Sequence, residues 1–72
     1  MYPLDTLELL REAKRLSRRV KVYARDDGRF EGDGVILDVD EETVSLFEYH
    51  IGVVHFLREN VHVYFAEDAP AN

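Results

Sequence analysis

The spacing of hydrophobic and polar positions changes once along the chain of 72 residues. Near the N-terminus, Leu9, Ala13, Leu16 and Val20 recur at helical spacing, with Leu10 at the flank, which predicts one buried stripe. Asp5 stands where an N-cap belongs, with Glu8 three residues on as in a capping box. Leu4 and Leu9 fit the hydrophobic staple. These signals predict a helix over about residues 6–18. After Arg19 the period becomes two: Val20, Val22 and Ala24 alternate with Lys21, Tyr23 and Arg25, a half-buried strand. Asp26-Asp27-Gly28 reads as a turn. Four more strands follow, at about residues 29–39, 44–49, 53–57 and 61–65, separated by Asp40–Thr43, His50–Gly52 and Arg58–Asn60. The acidic tail, residues 66–72, lacks large apolar groups and reads as frayed.

This layout predicts a mainly β fold: an N-terminal helix followed by a five-stranded, strongly bent barrel over about residues 19–65, in a single domain spanning 1–72. The second strand carries the strongest hint of bending. Phe30 lies on one of its faces, whereas Val35, Leu37 and Val39 lie on the other. A straight strand cannot switch its apolar face, so a bulge near Gly32-Asp33-Gly34 is expected. The loop-and-helix context of a phosphate cradle is missing, because a strand follows these glycines. Asp38, Asp40 and Glu42 echo alternating calcium ligands, but the glycine and the distal glutamate of such a loop are lacking, which leaves a solvated acidic turn.

Composition narrows the possibilities. With no cysteine, the chain has neither disulfides nor thiolate metal sites, so a domain this small must rely on packing or self-association. No apolar run reaches the length of a membrane span, and "MYPLDTLELL" lacks the basic start of a secretory signal, which points to the cytoplasm. The net charge of −6 disfavours nonspecific binding to polyphosphate. Yet six of the nine basic residues (Arg11, Lys14, Arg15, Arg18, Arg19 and Lys21) fall within residues 11–21. They would complement the negative end of the helix dipole or offer a local phosphate-binding face.

Two stretches resemble the motifs of the Sm and Sm-like (LSm) proteins, which include the Hfq branch. Val20, Val22, Asp27, Gly28, Arg29, Phe30, Gly32, Asp38 and Asp40 fit the first motif, and Gly52, Glu59, Asn60 and Val61 within "IGVVHFLRENV" fit the second. The likeness covers about residues 5–65. It implies a helix-capped bent barrel that assembles into a ring by pairing edge strands, and it implies an association with RNA. In that family a uridine pocket uses an aromatic or histidine and then an asparagine. Those places hold Glu42 and Val44, or Asp40 and Glu42, depending on the aspartate taken as origin. The family's arginine–glycine pair falls at Leu57-Arg58.

The candidate chemistry is that of binding. Ser17 and Ser45 are the only serines and have no activating context; zinc would want three or four ligands with a firm second shell, so His50, His55 and His62 read as surface or partly buried histidines. The chain therefore reads as non-enzymatic, without catalytic residues, metal or cofactor. Single-stranded RNA would bind Arg11, Lys14, Arg15, Arg18 and Arg19, with Arg58 as a further candidate. The last two strands are apolar and short of charge, which is hazardous for open edges. Val53, Val54, Phe56, Val61, Val63, Tyr64 and Phe65 are the expected interface of a homo-oligomeric ring. The tyrosines and phenylalanines of the strands (Tyr23, Phe47, Tyr49, Tyr64 and Phe65) serve as core, interface or base-stacking platform. An alternative function is that of an acidic adaptor that regulates a protein partner, such as a transcription factor, without touching RNA.

Overall fold

The computed structural model describes residues 2–70. One helix, α1 (Leu7–Leu16), precedes five strands: β1 (Arg19–Ala24), β2 (Phe30–Val39), β3 (Thr43–Glu48), β4 (Gly52–Leu57) and β5 (Val61–Phe65). The strands form one antiparallel sheet in the order β4-β3-β2-β1-β5. The fold is mainly β, as the change of period predicts. None of the described helices is long and apolar enough to cross a membrane.

The helix differs from its sequence reading in its cap and its buried face. Thr6, not Asp5, is the N-cap: its hydroxyl accepts from the Leu9 amide at 3.1 Å, satisfying one of the free donors of the first turn. Asp5 turns instead toward His62 and Arg25. Leu10 and Ala13 are buried, at 1% and 0% exposure, while Leu9 is 46% and Leu16 is 42% exposed. Leu7, three residues before Leu10, packs partly against the same core. Burial of the Leu10 side chain contributes about 1.5–3 kcal/mol. The helix stops at Ser17, whose left-handed backbone (φ 52°) lets the helix-ending amides reach the Ala13 and Lys14 carbonyls.

β2 carries the bulge expected beside its glycines and a second irregularity beyond them. Opposite β1, Gly32 pairs with Val22 and Phe30 with Tyr23, so Glu31 is the extra residue. Opposite β3, Ile36 pairs with Leu46 and Asp38 with Ser45, so Leu37 is extra. The two irregularities flank the glycines rather than coinciding with them. Gly32, Gly34 and Ile36 face inward; the inward face passes to Val39 beyond Leu37, which is left exposed. Gly34 is needed for close approach: a Cβ there would collide with the Phe47 carbonyl. At Gly32 the obstacle would be the buried Glu48 carboxylate, 2.8 Å away, which accepts the Asp33 amide at 3.1 Å.

The bent sheet encloses a core to which strands from β3 to β5 in the sheet order contribute, with Phe56 of β4 packed partly against it. Val44 and Leu46 of β3 join Val61 and Val63 of β5, with Val20, Val22, Ile36, Leu10 and Ala13 between them. The tail does not fray at residue 66. Ala66–Asp68 form a 3-10 turn, Glu67 pairs with Arg18, and the Pro70 carbonyl accepts from the Tyr23 hydroxyl at 3.3 Å. The last two residues of the expected frayed segment lie outside the described residues.

Candidate interaction surface

Half of the basic segment, three of its six residues, is paired with acids of its own chain. Arg15 pairs with Glu12 one turn earlier. Arg18 pairs with Glu67 and lies 3.8 Å above the Phe65 ring. Arg19 holds Asp33 at 2.6 Å. Arg11 and Lys14 make no ion pair among the described residues, and neither does Lys21, half-buried on β1. Arg58 is engaged elsewhere. It donates to the carbonyls of Asp40 at 2.9 Å and Glu41 at 3.0 Å, and reaches that of Asp5 at 3.4 Å. It thus ties the acidic turn to the N-terminal segment, well away from Arg15 and Arg18 in the bonds it makes.

That acidic turn is internally organised. One Asp40 carboxylate oxygen accepts the Glu42 amide at 2.8 Å, the Thr43 amide at 2.7 Å and the Thr43 hydroxyl at 3.1 Å. The Thr43 amide, followed by that of Glu42, holds the Asp40 carboxyl below the usual carboxylate range. The aspartate is therefore spent on shaping the turn between β2 and β3. The histidines go to separate neighbours: His55 to the Ser45 hydroxyl at 2.6 Å, His62 to Asp5 at 3.4 Å, and His50 to the edge of the Tyr49 ring. Of the strand aromatics, Tyr23 is buried and meets Phe30 and Tyr64 edge-on.

The predicted edge residues divide into two different surfaces. On β5, Val61 and Val63 send their side chains into the core. The Val63 carbonyl accepts the Leu4 amide at 2.6 Å, and the Val61 carbonyl accepts the Arg25 guanidinium at 2.9 Å. The chain's own N-terminal segment therefore lies on the β5 edge. On β4 the situation is the reverse. The Arg58 amide donates to the Glu42 carbonyl just beyond the Thr43–Leu57 pair. By the alternation of an antiparallel ladder, Val54 and Phe56 aim their backbone groups at β3, while Val53, His55 and Leu57 aim theirs away from the sheet. No backbone bond is made on that outer side among the described residues.

The side chains of Val53 and Leu57 are 54% and 48% exposed, whereas Val54 and Phe56 are half-buried on the inner face. Val35, Phe47 and Val53 pair across three strands and form an apolar row on the outer face, ending at the bare edge. Beside that row, Phe47, Tyr49 and Ile51 line a groove of about 580 Å³. The sequence pattern puts Tyr49 at the end of the third strand and makes His50–Gly52 a connection only. The signal for the groove was two large apolar residues at a turn, where polar ones are usual. Comparison with protein-family models, with curated proteins and with solved structures returns no match.

Proposed function

We propose that this chain is a non-enzymatic, Sm-like interaction module that takes an extended segment of another polypeptide onto β4. The bare outer edge of β4 supports this reading most directly. Three consecutive outward backbone pairs, at Val53, His55 and Leu57, can bond an added strand, and exposed apolar side chains lie above them. The only ionisable side chain on the strand is His55. The edge thus lacks the lysines, prolines and bulges that usually keep strands apart. The net charge of −6 and the organised acidic turn suit the adaptor reading better than a phosphate-binding one.

Capture of partners by the immobilised chain, with and without nuclease, tests this function. Partner retention after nuclease, and its loss in Val53→Lys, is the expected result. Equal retention by Val53→Lys overturns it. A second reading, RNA association through the helix, rests on Arg11 and Lys14, which are free of ion pairs among the described residues. A phosphate would have to displace Glu12, Glu67 or Asp33 to reach the other arginines of that face. Binding of single-stranded RNA that weakens steeply with salt, and is abolished by Arg11→Ala with Lys14→Ala, would support it.

A further inference from the structure

The β4 edge is complementary to itself, and we infer that its occupant is the β4 of a second copy of this chain, in an antiparallel, two-fold dimer. This rests on the reading of β4 as a docking edge and names what docks there.

The register follows from which backbone groups are free. An antiparallel copy must place outward-facing residues opposite one another. A two-fold axis at His55 sets His55 against His55, and Val53 against Leu57, in both directions. All six outward donors and acceptors of Val53, His55 and Leu57 are then satisfied. An axis at Val54 or Phe56 shifts the copies by one step and satisfies only four. The same register matches the side chains. Val53 and Leu57, the most exposed apolar residues of β4, meet across the axis on the outer face. The row Val35–Phe47–Val53 then continues into Leu57 and Thr43 of the second copy. A single strand supplies both surfaces, as a two-fold interface requires.

The alternative assembly, a head-to-tail ring, needs β4 of one copy to pair with β5 of the next. In this chain the Val63 carbonyl of β5 already accepts the Leu4 amide, and the Val61 carbonyl already accepts Arg25. A ring must first strip off the N-terminal segment. The two-fold dimer breaks no backbone bond, because none is made on the outer side of β4 among the described residues. The joined sheet would be ten strands long, with both covered β5 edges at its ends.

Charge adds a separable signature. Each copy carries −6, so long-range repulsion opposes association, while the strand itself holds no fixed charge. Salt screens that repulsion and should strengthen the dimer, the opposite of its effect on binding to a polyanion.

Sedimentation of the full chain, combined with amide exchange by NMR, tests the inference. An interface this small is weak, so the mass should double between roughly 10 µM and roughly 1 mM. Across that range the amides of Val53, His55 and Leu57 should gain about tenfold protection, while those of Val61 and Phe65 do not change. Raising the salt should shift the midpoint to lower concentration. His55→Pro removes the central donor without breaking a backbone bond to β3, though it also loses the contact with the Ser45 hydroxyl, and should leave a monomer. If that variant does not fold, Val53→Lys, a change at an exposed side chain, makes the same test. A monomer at every concentration overturns the inference, and so does a larger assembly that protects Val61 and Phe65. The broader reading fails separately. A monomer whose partner capture still depends on Val53 refutes only the dimer; capture indifferent to Val53→Lys refutes the docking edge.

Discussion

Replacing Gly34 with alanine puts the bend of the sheet under direct test. An added Cβ would overlap the Phe47 carbonyl oxygen and lie 2.9 Å from its carbon. The obstacle is backbone, so no rotamer change relieves it; β2 and β3 must separate where Val35 pairs with Phe47. Overpacking of this kind costs about 1–3 kcal/mol, and a fixed obstacle argues for the upper end. A chain of 72 residues has roughly 4–11 kcal/mol of stability in all. A loss of about 3 kcal/mol lowers the thermal midpoint by about 12–24 °C in a domain of this size. Gly28 supplies the control. Its backbone is left-handed (φ 74°), but no atom lies within 4 Å of an added Cβ. Alanine there costs about 1–2 kcal/mol through backbone strain alone. Urea unfolding followed by far-UV circular dichroism should place Gly34→Ala below Gly28→Ala. If Gly34→Ala unfolds within about 0.5 kcal/mol of the parent chain, like an ordinary surface change, the close approach of β2 and β3 is wrong.

The helix offers a second test: Leu10→Ala should cost about 2–5 kcal/mol, and Leu9→Ala under about 1 kcal/mol, measured by the same denaturation. Ser17→Gly should stabilise the chain by roughly 0.5–1 kcal/mol, because glycine accepts the left-handed helix end without strain; a lower thermal midpoint would refute this. Asp40 predicts the shape of the acid limb. Its carboxyl is held below the ordinary range by the Thr43 and Glu42 amides, so its contribution is fully present above that range and disappears as pH falls through the lowered value. Asp40→Asn should therefore flatten the loss of stability on acidification, and an unchanged pH dependence would count against the turn described for it.

Much of the fold was legible because periodicity reports element type well. The change from helical spacing to alternation marked α1 and all five strands, and β5 was placed residue for residue. The errors arose where tertiary contacts decide. Leu9 and Leu10 both fit a helical stripe, and only the position of β2 beneath the helix selects Leu10. Thr6 and Asp5 are both competent caps, and Asp5 is drawn away by Arg25 and His62, both distant from it in the sequence. Alternation in β2 put Val35, Leu37 and Val39 together on one apolar face. It could not show that Glu31 and Leu37 are extra residues, which puts the glycines inside. For the candidate surface, the apolar, uncharged character of β4 and β5 was visible. The difference between them was not, because it depends on one bond from Leu4 to a carbonyl 59 positions away. The basic cluster was equally plain, whereas its partners Asp33 and Glu67 come from distant segments.

The bond between Leu4 and Val63 also bears on how the molecule is born. A chain made from its N-terminus completes Leu4 long before Val63 leaves the ribosome. The cover for the last strand thus already exists when that strand first forms, and the β5 edge is guarded from its first moments. Among the described residues, no segment performs this service for β4. During synthesis, when many copies emerge close together on one message, β4 is the strand through which neighbouring nascent chains would first meet.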